Sequence, residues 1–121
     1  MAKLDIKKDK IQIKLSKLEK ILSLNFKPIE FPIKNIKNII LNPSKLKYPL
    51  FKASGVRIFN LLIIGIFFSV KNNKKEFWCV YPNKDIAVFE LTNERYNKIV
   101  ISLDKKDLNK LAKILKLFEK R

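Results

Sequence analysis

The spacing of apolar residues changes once along this chain, at Asp104, and this change constrains the fold more than any other feature. Before Asp104, apolar residues come in short runs separated by polar turns, which is typical of β-strands. After Asp104, they recur every three or four residues and define one face of a helix over residues 105–119. We therefore expect a mainly β domain that ends in one amphipathic helix.

Four strands are predicted in the second half of the chain, and short polar turns connect them. Their ranges are Gly65–Val70, Lys75–Tyr81, Ile86–Leu91 and Lys98–Leu103. Strands that follow one another through short turns commonly pair with their neighbours in sequence. We therefore expect these four strands to form an antiparallel meander.

The first half of the chain predicts shorter elements. Ile11, Ile13 and Leu15 alternate with polar residues, which indicates a strand. The capping-box spacing of Ser16 and Glu19 then predicts one or two helical turns. Beyond it, Pro32 interrupts an apolar run and favours an edge strand or an extended segment, and a short strand, or a turn followed by a strand, is expected over residues 36–41.

The C-terminal helix carries suitable residues at both of its ends. Asp104 stands at the N-cap position, and Asp107 places a negative charge in the first turn. Lys113, Lys116 and Lys120 favour the other end. Burying the apolar stripe would remove roughly 500 Å² from water, or on the order of 10 kcal/mol before entropy is counted. We expect this helix to close the open end of a curled sheet.

Composition limits the chemistry that this chain can perform. Its 121 residues suit a single domain, 1–121, and carry a formal net charge of +16 from 27 basic and 11 acidic residues. Histidine is absent and glycine occurs only twice, so an imidazole base and a glycine-rich phosphate loop are both lacking. We expect a protein that is not an enzyme and that holds no cofactor or metal.

The remaining candidates for catalysis have structural explanations. Cys79 lies within a predicted strand, where a lone cysteine usually behaves as a small buried apolar residue. Glu90 and Glu94 flank a turn. Asp104 and Asp107 are explained by helix capping.

The chain also predicts a cytoplasmic location and no transmembrane segment. The N-terminal residues lack the apolar run of a signal peptide, and a lone cysteine permits a reducing compartment. The longest apolar stretch, Leu61–Val70, falls well short of the roughly 20 residues that a spanning helix needs. We expect it to form a buried strand, although contact with a membrane surface stays open.

Five stretches from Lys10 onward place apolar residues around turns in a recurrent order. They are Phe31–Ile36, Gly55–Ile58 with Gly65 in the strand that follows, Lys75–Trp78, Ile86–Leu91 and Tyr96–Ile101. This order resembles that of the prokaryotic pleckstrin-homology-like proteins. The resemblance implies a partly open barrel or roll of about seven antiparallel strands capped by one helix. It also implies a binding or scaffolding module that contacts other proteins.

The resemblance does not extend to phosphoinositide recognition. The eukaryotic relatives carry a Lys-x-x-Arg motif in the first hairpin, whereas Lys7, Lys8 and Lys10 have a different spacing. A protein partner is therefore the first expectation for function.

The alternative function is binding to an anionic surface or polymer, such as nucleic acid or acidic lipid. Between Phe31 and Lys75 the chain has nine basic residues and no acidic one. Two segments, residues 43–54 and 71–75, could bring these charges together if they lie at one end of the fold. The candidate anion-binding residues are Lys45, Lys47, Lys52, Arg57, Lys71, Lys74 and Lys75, and the competing interpretation is a solvated lysine surface without a defined partner.

Aromatic residues near these lysines permit two interpretations. Phe67, Phe68, Phe77, Trp78 and Tyr81 could stack on single-stranded nucleic acid or could fill the core. Strand alternation places Phe77 and Trp78 on opposite faces, so at least one of these sets is expected to be core.

Overall fold

The computed structural model describes residues 1–23, 25–44, 46, 51–58, 62–69 and 74–119, and for residues 51–58 and 118–119 it describes the backbone alone. Within these ranges the chain forms nine strands, two α-helices and one 3₁₀ turn. In chain order they are β1 (Lys3–Ile6), β2 (Lys10–Lys14), α1 (Lys17–Ser23), β3 (Ile29–Pro32), the 3₁₀ turn (Ile33–Asn35), β4 (Ile36–Leu41), β5 (Phe51–Ile58), β6 (Leu62–Phe68), β7 (Lys75–Val80), β8 (Asp85–Leu91), β9 (Lys98–Leu103) and α2 (Lys105–Glu119).

The strands form two sheets. A three-stranded antiparallel sheet has the order β1-β2-β3, and a six-stranded sheet has the order β4-β8-β9-β7-β6-β5. The prediction of a mainly β fold with one C-terminal helix is confirmed. The edge position expected for the strand that contains Pro32 is also found, because β3 lies at the outside of the small sheet.

The expected arrangement of about seven antiparallel strands is wrong in both number and direction. The described residues form nine strands, and β7 pairs with β9 in parallel, with Trp78 opposite Val100. Strand β8 pairs with β9 on one side and with β4 on the other. It does not pair with β7, the strand that precedes it in sequence, so the predicted meander is not formed. The reason is burial, since five of the six residues in both β7 and β9 are buried. Strands that are apolar on both faces occupy the centre of a sheet, whatever their order in sequence.

The main core lies between the two sheets. Alternate residues of β2 and β3 point inward, including Ile11, Ile13 and Phe31, whereas their neighbours form surface ion pairs. Phe31 meets Phe89 of the large sheet edge to face, with ring centroids 5.4 Å apart. This contact joins the two sheets. Edge-to-face aromatic pairs contribute about 1 kcal/mol of stability beyond the area that they bury.

The opposite face of the large sheet holds a second apolar cluster. It is built around Trp78 and Phe67, which are almost completely buried, together with Ile63, Val80, Val88 and Val100. The chain's two glycines lie in one row with Trp78, because Gly65 of β6 pairs with Trp78 of β7 and Gly55 of β5 pairs with Gly65. Gly65 has a φ of 152°, a conformation that favours glycine, and the missing side chains leave room for the indole.

Asparagine supplies the other left-handed backbone positions in the described chain. Asn42, Asn83 and Asn93 have φ values of 47°, 58° and 58°. Asparagine tolerates this region better than other residues that carry a side chain, because its amide can hydrogen-bond locally. Asn42 does so by accepting a hydrogen bond of 2.7 Å from the backbone N–H of Ile86. Few glycines are therefore needed for the turns.

Helix α2 packs against strands of both sheets, namely β1, β4, β8 and β9. Its N-cap is the predicted one, since the Asp104 Oδ1 atom accepts a hydrogen bond of 2.9 Å from the backbone N–H of Asp107. Asp107 in turn accepts a hydrogen bond of 3.0 Å from the backbone N–H of Leu4, which fixes the helix to β1. Neither helix in the described chain has the length and apolar composition that crossing a bilayer requires.

Candidate functional site

An open groove of about 700 Å³ lies between the β1–β2 turn, the 3₁₀ turn and the C-terminal half of α2. Its floor and walls are aliphatic, and three lysines and one aspartate stand around them. The apolar lining residues are Ile6, Pro32, Ile33, Ile114 and Leu117, and the charged ones are Lys7, Lys8, Asp9 and Lys34. We call this feature the apolar groove.

Backbone hydrogen bonds hold two walls of the apolar groove together. The N–H of Lys7 donates to the carbonyl of Lys10 at 2.9 Å, which closes the β1–β2 turn. The N–H of Ile33 donates to the carbonyl of Asp9 at 2.9 Å, which joins the 3₁₀ turn to that hairpin. The lysines on these two turns are therefore carried on connected segments of backbone.

The third wall is the part of α2 that extends beyond the core. Leu111 is fully buried, Ile114 is half-buried, and Leu117 is 65% exposed. A single exposed leucine is common on protein surfaces. Here, however, Leu117 continues an apolar surface with Ile6 and Ile33, and a contiguous apolar surface edged by polar residues is typical of a binding site.

The charges around the apolar groove select the kind of ligand that fits it. Lys7, Lys8 and Lys34 are exposed, and Asp9 is the one carboxylate among the described lining residues. The chain as a whole adds a strong positive field through its net charge of +16. The groove therefore suits a ligand with an apolar side that enters it and negative charges that face the lysines.

A buried polar cluster lies beneath α1, away from this groove. The Glu19 side chain is completely buried and accepts hydrogen bonds from the Tyr81 hydroxyl at 2.5 Å, the Cys79 thiol at 3.2 Å and the backbone N–H of Ser16 at 2.7 Å. The N-terminal ammonium of Met1 lies 3.5 Å from the same carboxylate. Ser16 Oγ accepts from the N–H of Glu19 at 3.2 Å, which completes the predicted capping box.

The protonation states of this cluster follow from its hydrogen bonds. Burial alone would raise the pKa of Glu19, but donors from Tyr81, Ser16 and Cys79 and the nearby ammonium outweigh it and lower this pKa below its ordinary value of 4.5. Burial and the adjacent carboxylate raise the pKa of the Cys79 thiol and of the Tyr81 hydroxyl. The thiol stays protonated at neutral pH, so this cluster activates no nucleophile.

A second groove is polar and contains two of the residues proposed for anion binding. Lys74 and Lys75 line it together with Lys37 and Arg95, but Glu90 and Glu94 line it as well. The sequence between Phe31 and Lys75 contains no acidic residue, whereas the fold brings carboxylates from β8 and the following turn beside its lysines. The cationic character of this region is therefore reduced in three dimensions.

Of the other proposed anion-binding residues, two are described by their backbone alone. Lys52 and Arg57 lie five positions apart on β5, where they pair with Phe67 and Ile63 respectively. This spacing separates their backbones by roughly 16 Å along the strand. Lys45, Lys47 and Lys71 lie outside the described residues.

The aromatic residues considered for base stacking and the carboxylates considered for acid–base chemistry take part in packing and hydrogen bonds within the fold. Phe67, Phe77 and Trp78 are at most 1% exposed, so their ring faces are not open to a nucleotide base. Of the carboxylate pairs, Glu90 accepts a hydrogen bond from Asn38 and Glu94 accepts one from Asn35. Asp104 caps α2, and Asp107 anchors this helix to β1.

Sequence reasoning missed the apolar groove. The spacing of Lys7 and Lys8 excludes a phosphoinositide motif but indicates no other site, and the helical face predicted over residues 105–119 includes Leu117 without separating it from the buried positions. The only available indication was the length of that stripe, which continues for two turns after Leu111, the last fully buried position described on the helix. The pairing of the β1–β2 turn with the 3₁₀ turn could not be read from local patterns.

Comparison with known proteins adds no information on this site. No family model, curated protein or solved structure matches the chain. The resemblance to pleckstrin-homology-like proteins therefore stays a prediction, and the role of the apolar groove has to follow from its own chemistry.

Proposed function

We propose that this protein is a binding module that holds an acidic amphipathic segment of a partner protein in the apolar groove. The observation that supports this proposal is the combination of five aliphatic lining residues with three exposed lysines in one open depression. Apolar contacts provide most of the affinity in such grooves, and charge complementarity provides orientation and a fast association rate.

A peptide fits this groove better than the other anionic ligands considered. The described lining contains no aromatic side chain on which a base could stack and no arginine that could grip a phosphate with two hydrogen bonds. The groove is open, whereas sites for small molecules usually enclose most of the ligand surface. Self-association is disfavoured because two copies of the chain would each bring a charge of +16.

The expected mode of binding is that of an amphipathic helix in a groove. Residues at positions i, i+3 or i+4 and i+7 of the partner would contact Ile33, Ile114 and Leu117. Glutamates or aspartates on the flanks of that helix would face Lys7 and Lys34. Because these lysines are exposed, their contribution should weaken as salt is added.

The test compares two leucine substitutions that are matched in residue type and exposure. Leu117 is 65% exposed within the groove, and Leu18 is 62% exposed on α1. The probe is a fluorescein-labelled peptide of about 14 residues, or four helical turns, with leucines on one face and glutamates on the other. Its affinity is measured by fluorescence anisotropy for the wild type, Leu117→Ser and Leu18→Ser.

We expect Leu117→Ser to weaken peptide binding about tenfold, since roughly 1.5 kcal/mol of apolar contact would be lost. Leu18→Ser should bind as the wild type does. A version of the peptide with glutamine in place of glutamate should bind much more weakly at low salt. Equal affinities for the two leucine variants, or no binding of the acidic peptide to the wild type at millimolar concentration, would contradict the proposal.

The alternative function, binding of an anionic polymer, is supported by the polar groove. Four cations converge there, Lys37, Lys74, Lys75 and Arg95, although two carboxylates accompany them. Replacing both Lys74 and Lys75 by glutamine should then lower the salt concentration that elutes the protein from heparin. The matched control is Lys113→Gln with Lys116→Gln on α2, and equal effects of the two pairs would indicate that no specific site exists.

Two wider expectations also stay proposals. The mainly β fold with its C-terminal helix supports membership of the pleckstrin-homology-like proteins, although the strand number and the parallel pair differ from the expected pattern. A cytoplasmic location rests on the sequence features described at the outset.

A further inference from the structure

We propose that α1 and the turn after it form a second binding surface, which docks onto an anionic lipid bilayer. Three large apolar side chains are exposed there: Leu18 at 62%, Ile21 at 55% and Phe26 at 62%. We call these three residues the α1 face. They make up three of the five large apolar residues that are exposed in the described part of the chain.

The exposure of the α1 face is a consequence of how the helix is anchored. The opposite side of α1 carries Glu19 and Ser23, both fully buried, and Leu22, between that side and Leu18, packs against the main core. Leu18 and Ile21, three residues apart, lie on the other side of the helix. Turning the helix to bury them would pull the Glu19 carboxylate away from its hydrogen-bond donors and leave those buried donors without an acceptor. The apolar side chains are therefore held outward.

Phe26 is held next to the same helix by the residue that precedes it. The backbone N–H of Asn25 donates to the carbonyl of Lys20 at 3.2 Å, which folds the chain back against the C-terminal turn of α1. The Asn25 side chain is buried and lies 3.4 Å from the Tyr96 hydroxyl. The backbone before Phe26 is therefore fixed, and the Phe26 side chain is exposed to solvent.

The charges around the α1 face favour a negatively charged occupant. Lys17, Lys20 and Lys27 flank it, and the one carboxylate within residues 17–28 is the buried Glu19. This surface therefore presents cations and apolar side chains together, which is the pattern of segments that rest on anionic membranes. A second copy of this chain is a poor occupant because of its own positive charge.

The shape of the α1 face favours a bilayer over a folded protein partner. Leu18, Ile21 and Phe26 line neither the apolar groove nor the polar groove, and more than half of each side chain projects into solvent. Side chains that project in this way can enter the boundary between lipid headgroups and acyl chains, which adapts to their shape. A rigid partner would instead need a matching pocket.

This surface is independent of the groove proposed for the partner segment. Strand β2 runs from the β1–β2 turn, which lines the apolar groove, to Lys14, three residues before α1 begins. The two sites therefore lie at opposite ends of the hairpin, roughly 15 Å apart along the strands. A protein held on a membrane by α1 would keep its groove free for a partner.

The test measures sedimentation of the full chain with lipid vesicles. The vesicles contain either phosphatidylcholine alone or phosphatidylcholine with about 30% phosphatidylserine, which supplies the anionic surface. We expect the wild type to bind the anionic vesicles and to dissociate as salt is raised. The double variant Leu18→Ser with Phe26→Ser should bind about tenfold or more weakly, because inserted apolar area is lost while the charge is unchanged.

Two controls separate this surface from general electrostatic attraction. Leu117→Ser should bind vesicles as the wild type does, and circular dichroism verifies that each variant is folded. Replacing Lys17, Lys20 and Lys27 by glutamine should weaken binding more than replacing Lys106, Lys113 and Lys116 on α2. The proposal is overturned if the wild type does not sediment with anionic vesicles at low salt, or if the double variant sediments like the wild type. The former result would leave a protein partner as the occupant of the α1 face.

Discussion

Replacing Glu19 by glutamine should destabilise the fold by about 2 kcal/mol at pH 7, because one buried donor loses its acceptor. The carboxylate has two oxygens, and each accepts a hydrogen bond: Oε1 from the backbone N–H of Ser16, and Oε2 from Tyr81 and Cys79. Glutamine offers one oxygen and one NH₂ group. One side of the cluster would therefore place two donors against each other.

The size of this effect follows from the exposure of the groups involved. An unpaired buried donor costs about 1–3 kcal/mol, and more when the lost partner was charged. Tyr81 is half-exposed, so its hydroxyl can turn partly towards water. The middle of the range, about 2 kcal/mol, corresponds to a fall of roughly 8 °C in the midpoint of thermal unfolding for a chain of this length.

The loss should depend on pH in a defined direction. The pKa of Glu19 is lower in the folded protein than its ordinary value of 4.5, so the folded state favours the ionised form. The stability that this carboxylate contributes is fully present above about pH 5 and is lost as pH falls through the folded-state pKa. The difference between the wild type and Glu19→Gln should therefore shrink in acid.

The assay is urea unfolding followed by the fluorescence of Trp78, which is the chain's single tryptophan and is fully buried. The control is Glu30→Gln, because Glu30 forms an exposed ion pair with Lys10 at 3.5 Å and its removal should cost less than about 0.5 kcal/mol. The reasoning is refuted if Glu19→Gln is as stable as Glu30→Gln at pH 7. A difference that persists undiminished at the lowest pH where the protein is folded would refute the linkage to ionisation.

Three further predictions concern the fold. Asp104→Ala should lower stability by about 1 kcal/mol through loss of the α2 cap, and a thermal midpoint equal to that of the wild type would contradict this. Phe31→Leu should cost about 2 kcal/mol in urea unfolding, from the lost ring contact with Phe89 and imperfect repacking, whereas a cost below 0.5 kcal/mol would argue against close packing of the two sheets. The Cys79 thiol should react with a maleimide only as fast as the protein unfolds, since burial raises its pKa and blocks access, and rapid labelling of the native protein would exclude the buried position.

Local patterns predicted the elements of this fold well because each element has its own local cause. The change of period at Asp104 marks α2, the Ser16–Glu19 spacing marks α1, and alternation marks β2. Strand order has no such local cause. It depends on which strands can be buried on both faces, and the pairing of β7 with β9 joins residues that lie more than 20 positions apart.

The functional surfaces were harder to predict because they arise from exceptions to the usual pattern. Glu19 is a charged residue that is fully buried, and its burial turns Leu18 and Ile21 outward. Leu117 belongs to an apolar stripe but lies beyond Leu111, the last fully buried position described on that stripe. A charged side chain is expected to be exposed and an apolar one to be buried, and here the tertiary contacts reverse both expectations.

The most direct test of the proposed groove is a map of backbone amide NMR shifts during titration with the acidic amphipathic peptide. We expect the largest changes in residues 6–9, 33–34 and 114–117, which line the apolar groove, and little change around Lys74 and Arg95 in the polar groove. Saturable shifts confined to the first set would establish the groove as the binding site. Shifts that centre on the polar groove or the α1 face, or that scatter over the lysine-rich surface without saturating, would contradict it.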